Sequence, residues 1–249
     1  MNVVRVEHVS KDYMVGEQLV RAVNDISLSV EAGVFLAIAG PSGSGKTTLL
    51  NLIGCIDRPT SGNIFIDDQS IAGMTADQLA GLRSRSIGFI FQTFNLLPVL
   101  SAAENVEYPL LQRPEFSAAE RRERVAHFLN VVGLADRTQN RPNQLSGGQR
   151  QRVAIARALA GSPRIVLADE PTANLDKKTG VSILRLMKRI NEAMGTTFIF
   201  STHDRRVVEL ADRLVQIEDG RVNALGIRRN GELMIAHIPD QDESGEPPQ

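Results

Sequence analysis

Short apolar or β-branched runs recur along the chain (VVRVEHV, VFLAIA, NIFID, IGFIF, RIVLAD, TFIFS and LVQIE), and helical patterns separate them. Strand runs that alternate with helices predict an α/β fold. VFLAIA and IVLA lack polar alternation, so they are predicted to be central parallel strands covered on both faces. After IGFIF, and as far as Arg164, the pattern turns helical. SAAE at 101–104 and again at 117–120 has capping-box spacing, and Gly133 is placed to end the second helix. This stretch reads as a helical insertion. Residues 239–249, PDQDESGEPPQ, hold four acids, three prolines and no base, which predicts a disordered tail with too little apolar surface to fold.

Composition narrows the class. The 249 residues, 42% hydrophobic and 23% charged, suit one large or two modest globular domains and exclude fibrous or wholly disordered chains. Twenty-eight Lys and Arg against 29 Asp and Glu give no field that would hold a polyanion, so no nucleic-acid partner is expected. Cys55 is the single cysteine and cannot form an internal disulfide. The first residues, MNVVRVEHVSKDY, carry charges where a secretory signal needs an apolar core, so a cytoplasmic location is expected. The uncharged run 87–103 is shorter than a membrane span and is broken by Gln92, Asn95 and Pro98.

The sharpest local chemistry is Gly40-Pro41-Ser42-Gly43-Ser44-Gly45-Lys46-Thr47-Thr48, which fits GxxxxGK[ST] between the strand VFLAIA and the helical TTLLNLIGCI. The glycines let backbone N–H groups turn toward phosphate oxygens. The helix N-terminus adds its positive dipole end, and Lys46 adds a point charge. Thr47 is suited to place its hydroxyl on Mg²⁺. The competing reading is a plain glycine-rich turn, whose chance occurrence is on the order of a few in a thousand. A dinucleotide site lacks support, because Gly43-Ser44-Gly45 is not followed by the third glycine of GxGxxG.

Asp169 and Glu170 end the run IVLA, where ligands of parallel sheets collect. Asp169 suits a Mg²⁺ contact, and Glu170, one residue further out, suits taking a proton from an attacking water. The competing reading is an acid pair that caps the next turn. Between the two elements lies Leu145-Ser146-Gly147-Gly148-Gln149, followed by the helix VAIARALA. Ser146 and Gln149 have capping-box spacing. Two glycines just inside a helix start cost stability, which suggests bare N–H groups kept for an anion, against a structural glycine-rich loop before a core helix.

In these motifs and their order the chain resembles ABC-transporter ATPase subunits. Residues 40–48 correspond to the Walker A loop and 145–149 to the signature, and Tyr13, Gln92, Asp169-Glu170, Asn174-Leu175-Asp176 and His203 follow the family's order. The resemblance implies a P-loop NTPase core of RecA-like, mostly parallel sheet, an antiparallel β subdomain, and an inserted helical subdomain. It places the core at about 1–91 and 163–238, the helical subdomain at about 92–162, and the tail at 239–249.

It further implies ATP and Mg²⁺ as ligands and an ATP-dependent head-to-tail homodimer, with each ATP between one subunit's Walker A loop and the other's signature. The partner would be an integral membrane permease, and the subunit would sit peripherally on the cytoplasmic face of the membrane. Tyr13 then corresponds to the aromatic that stacks on adenine, though a Tyr at a strand end is also ordinary packing. Gln92 corresponds to the glutamine that touches Mg²⁺ and the attacking water, and His203 to a donor toward the γ-phosphate. Asp176 belongs to the nucleotide-binding set.

IGCIDRPTSG and GFIFQTFNLLPVLSAAENVEYPL look most like the lipoprotein-releasing, macrolide-export and cell-division group. Rival classes are a soluble ABC protein acting on ribosomes or DNA, which would bring two cassettes or a long coiled coil, and a scaffold without turnover, which would have lost Glu170. Cys55 reads as a small core residue. The basic clusters Arg121-Arg122-Arg124 and Arg150-Arg152 read as solvated helix faces. No motif marks 225–238.

Overall fold

Runs without polar alternation become the middle of a seven-stranded sheet. In the computed structural model, which describes residues 1–238, β3 (Phe35–Ala39), β6 (Ile87–Ile90), β7 (Ile165–Asp169), β8 (Thr197–Thr202) and β9 (Arg213–Glu218) run parallel, in the order β9-β3-β8-β7-β6. Each central strand divides its side chains between two buried layers. Phe35, Ala37, Val166, Ala168, Phe198 and Phe200 enter one; Leu36, Ile38, Ile165, Leu167 and Ile199 enter the other. With both faces apolar, these strands have no side on which a polar residue would be tolerated. The Phe35 and Phe200 rings lie 4.4 Å apart, and burying each such side chain contributes roughly 1.5–3 kcal/mol.

The second layer is closed by an antiparallel sheet in the order β2-β1-β4-β5, from β1 (Asn2–Val15), β2 (Gln18–Glu31), β4 (Ser61–Ile66) and β5 (Gln69–Ser70). Helix α1 (Lys46–Ile53) packs beneath it, and Leu79 and Leu82 of α2 (Ala76–Ser86) join the same layer. The first layer is covered by α3 (Ala102–Glu107), α4 (Ala118–Val131), α5 (Gly147–Leu159), α6 (Lys177–Met194) and α7 (Arg205–Leu210). Helices α3, α4 and α5 lie between β6 and β7 in the chain and form the insertion expected from the pattern.

Both SAAE capping boxes form. Ser101 N donates to Glu104 Oε2 at 2.7 Å and Glu104 N to Ser101 Oγ at 3.3 Å, with the same two distances at Ser117 and Glu120. Gly133, at φ 73°, follows the end of α4 as expected. Among the described residues no helix is long and apolar enough to cross a membrane. The tail expected to be disordered lies outside the described residues.

The structure revises the strand reading and the reading of the basic clusters. Strand β2 and the hairpin of β10 (Arg221–Arg229) and β11 (Glu232–His237), which extends the main sheet antiparallel, were not among the predicted runs. Met234 and Ile235 of the edge strand β11 are exposed, so its pattern carries no buried face. Asp219-Gly220 and Asn230-Gly231 each hold two positive φ values, the backbone that two-residue hairpin turns require, a signal that the sequence expectations did not use.

The arginines expected on solvated faces are mostly tied down. Arg121 donates to Phe116 O at 2.9 Å, Arg124 to Ser162 Oγ at 2.9 Å, and Arg152 to Val132 O at 2.7 Å. The Arg150 guanidinium lies over the Phe94 ring. A helix face that meets another segment's carbonyls needs donors, and arginine reaches them while its stem covers apolar surface. Arg122 is exposed, as expected.

Candidate nucleotide site

Strand register assembles the site. Ala39 pairs with Thr202, Ser201 with Asp169, and Ala168 with Ile90, so β3, β8, β7 and β6 end nearly level. The residues just past those ends are Gly40, His203, Glu170 and the pair Phe91-Gln92. Four sequence-predicted elements therefore meet at the carboxyl edge of neighbouring strands, the edge at which ligands of parallel sheets bind.

The loop from Gly40 to Thr48 is shaped by glycine. A Cβ on Gly45, at φ 97°, would stand 2.1 Å from Ala22 O, and one on Gly40 would stand 2.0 Å from Ile217 O. Among the described residues no side chain caps α1, whose N-cap is Gly45, so its first-turn N–H groups stay open to an anion. Lys46 is buried, and its Nζ donates to Pro41 O at 2.6 Å across the loop. Ser44 Oγ is buried without a partner among the described residues. Ser42 and Gly43 are exposed at the loop's outer side. Thr47 Oγ1 donates to Asp169 Oδ1 at 3.0 Å, which brings a hydroxyl and a carboxylate together at the mouth of the loop.

Glu170 has φ 44°, left-handed backbone that costs a non-glycine residue about 1–2 kcal/mol. Glu170 N donates to Ser201 O at 2.9 Å and Ala173 N to Glu170 O at 3.1 Å, which hold the turn. Its Oε1 accepts from His203 N at 3.1 Å and from His203 Nδ1 at 2.6 Å, while Oε2 has a long contact from Thr202 Oγ1 at 3.4 Å. An ionised carboxylate only accepts, and against one Nδ1 must be the donor of this bond. With Nδ1–H on Glu170, Nε2 is a donor when the imidazole is charged and an acceptor when it is neutral.

Gln92 is exposed beyond β6, and its carbonyl accepts from Asn174 Nδ2 at 3.0 Å, which links it to the turn after Glu170. Asp176 caps α6, accepting from Thr179 N at 3.0 Å; the Thr179 hydrogen bond holds its carboxyl below the usual range. Tyr13 is partly exposed. Its hydroxyl donates to Asp57 Oδ2 at 2.8 Å, and the Lys11 ammonium lies 4.9 Å from its ring centroid. Burial and the Asp57 carboxylate raise the phenol. Burial would also raise Asp57, but bonds from Lys11 and Tyr13 outweigh it and hold the carboxyl low. Asp57 was not among the sequence-predicted residues. Only the folded chain brings a residue 44 positions away to Tyr13.

The signature sits apart, at the start of α5. Ser146 N donates to Gln149 Oε1 at 2.9 Å and Gln149 N to Ser146 Oγ at 3.3 Å, the expected capping box. Neither Gly147 nor Gly148 has a positive φ. A Cβ on Gly148 would stand 2.5 Å from Thr179 Cγ2, so that glycine answers to packing against α6. Close packing is therefore a reason for glycine at 148 beside the bared N–H groups that the sequence suggests. Sequence reasoning also missed Asp204, which accepts from Thr172 Oγ1 at 2.9 Å and anchors the turn after Glu170.

Comparison with known proteins is consistent with this geometry. The family described as ABC transporter matches residues 23–173. Over 222 residues the chain is 47% identical to the uncharacterized ABC transporter ATP-binding protein MJ0796 of Methanocaldococcus jannaschii, covering 88% of this chain and 94% of that one. It is 49% identical over 221 residues to the macrolide export ATP-binding/permease protein MacB of Syntrophobacter fumaroxidans, covering 88% of this chain and 31% of that longer one. The dimeric post-hydrolysis structure of the cassette MJ0796 bound to ADP and Pi superposes with a TM-score of 0.84 at 45% identity, over 91% of this chain and 99% of that one.

Proposed function

The chain belongs to the ABC transporter family, and from that premise we propose that it is an ATP-hydrolysing subunit that closes as a head-to-tail dimer on ATP to drive a separate membrane permease. The observation that carries this reading is the convergence of the 40–48 loop, Asp169, Glu170, His203 and Gln92 at one edge of four neighbouring strands. In it, the uncapped N–H groups of the loop and Lys46 hold the phosphates, and Tyr13, its hydroxyl fixed by Asp57, offers a ring face to adenine.

The hydroxyl of Thr47 and the carboxylate of Asp169 are hard oxygens, which fit Mg²⁺, and Gln92 completes the set. Mg²⁺, when bound, supplies positive charge against the phosphates. Water attacks the γ-phosphorus, the bond to the β–γ bridging oxygen breaks, and Glu170 takes the water's proton. With Oε1 engaged by His203, Oε2 is the oxygen open to that proton. Across the dimer, Ser146, Gly147, Gly148 and Gln149 of one subunit face the ATP held by the other. The γ-phosphate therefore joins the subunits, and hydrolysis releases them. Similarity to a dimeric cassette supports the dimer and similarity to a macrolide exporter supports a permease of the macrolide-export type, while the lipoprotein-release alternative rests on the motif resemblance alone.

The permease would find apolar ground beside Gln92. Exposed Leu97 and Val99 follow it, and a cavity of about 580 Å³ lined by Phe89, Phe91, Tyr108 and Arg157 adjoins it. Such contacts would keep the subunit peripheral on the cytoplasmic face.

Light scattering and phosphate release test the reading. Glu170→Gln keeps size but cannot accept the proton, so turnover falls about 10²- to 10⁴-fold while Mg-ATP doubles the mass in solution. Ser146→Arg abolishes the doubling. Dimers of normal affinity in Ser146→Arg would remove the signature from the interface, and normal turnover in Glu170→Gln would remove the base.

A further inference from the structure

Gln151 is fully buried, four residues past Gly147 in α5. Its Nε2 donates to Pro171 O at 2.8 Å, and its Oε1 is buried with no partner among the described residues. A buried acceptor without a partner is costly, so Oε1 adds nothing to folding. The bond to Pro171 is what the amide adds. Proline has no N–H, so at that position the carbonyl is the available backbone handle.

That handle adjoins the residue whose placement matters most. Glu170 holds its carboxylate in place with a left-handed backbone, a conformation that persists when its surroundings enforce it. Ser201 holds it from β8, and Asp204 holds Thr172. Gln151 supplies the hold from the signature helix. Positions 147, 148, 151 and 152 lie on one side of α5 at spacings of three and four. They meet, respectively, Leu175, Thr179, Pro171 and Ser182, the last through Arg152 Nη2 at 3.1 Å. The Gln151–Pro171 bond joins the start of α5 directly to the turn that carries Glu170, and the neighbouring positions pack against Leu175 at the end of that turn and against Thr179 and Ser182 of α6.

We infer that Gln151 is a positioning residue for ATP hydrolysis, tying the helix that begins with the signature to the turn that carries Glu170. The inference rests on the ATPase reading above. Engagement of Ser146 by a phosphate then shifts the Glu170 turn with the helix, and the carboxylate is set when the signature is occupied.

The test compares Gln151→Met, which keeps length without the amide, and Gln151→Asn, which keeps an amide too short to span the gap. In both, kcat for phosphate release falls about 10- to 100-fold, as expected for a misplaced catalytic group, while KM for ATP stays within about twofold. The melting temperature of Gln151→Met shifts little, because the variant removes the orphaned Oε1 and leaves Pro171 O without its donor, two effects of opposite sign. The losses from Ser146→Ala and Gln151→Met are less than additive in the double variant, because both cut the same link. Unchanged kcat in both variants, additive losses, or a kcat loss matched by lost ATP affinity and a lower melting temperature would overturn the inference. Glu170→Gln in the same assay separates the levels. If it is inactive and the Gln151 variants turn over normally, the positioning role fails alone; if it turns over normally, the ATPase reading fails and takes this role with it.

Discussion

Two glycine-rich segments open helices in this chain, and they do so in opposite ways. At α1 the glycines hold positive φ angles, Gly45 passes within reach of Ala22 O, and no side chain among the described residues caps the helix. At α5 the glycines are helical, and Ser146 and Gln149 cap each other's backbone. The first segment is built around open N–H groups. The second satisfies its own donors until something better arrives, and it is braced against α6 through Gly148 and Thr179. Glycine in a sequence thus reports two different demands, backbone conformation in one case and close approach of a neighbour in the other.

The contrast is sharpest where an alanine is added. Gly45→Ala must place a Cβ into a backbone carbonyl at a left-handed φ, so the loop rearranges. We expect a loss of about 2–5 kcal/mol of stability and no measurable nucleotide binding, read by thermal unfolding and ATP titration. A stable Gly45→Ala protein that binds ATP would break the comparison at its strongest point.

Lys46→Ala comes next, removing a charge-assisted contact worth about 1.5–3 kcal/mol, or on the order of 10- to 150-fold in ATP affinity measured by titration. Ser146→Ala strips the cap from α5 at about 1 kcal/mol of stability, with the ATP affinity of the monomer unchanged and ATP-driven dimerisation weakened in light scattering. A drop in monomer affinity would mean that the signature serves its own subunit's site.

The smallest effect has the opposite sign. Gly147→Ala meets Leu175 Cδ2 at an ordinary 3.5 Å in helical backbone, so the monomer gains roughly 0.5–1 kcal/mol in denaturant unfolding. Loss of stability there would place Gly147 with the glycines of the first loop.

Much of the site was legible because it is local. The 40–48 loop, the capping boxes at Ser101, Ser117 and Ser146, and Asp169-Glu170 at the end of an apolar run each declare themselves within a few residues. The turns of the β10–β11 extension carry a local signal in Asp219-Gly220 and Asn230-Gly231, which the sequence reading left unused along with the strands beside them. Gln151 offered no such signal. A polar residue at that helical position reads as a surface residue until the fold buries it against Pro171.

The sequence by itself determined the loops, the caps, the doubly buried strands and the family, since each follows from residue type and short spacing. Only the tertiary structure decided that Thr47 meets Asp169 across 122 positions, that Asp57 steadies Tyr13, and that His203 and Gln151 both brace the turn of Glu170. Those pairings depend on which strands lie side by side and in what register. That choice is made by packing two apolar layers on one sheet, and no local pattern of residues encodes it.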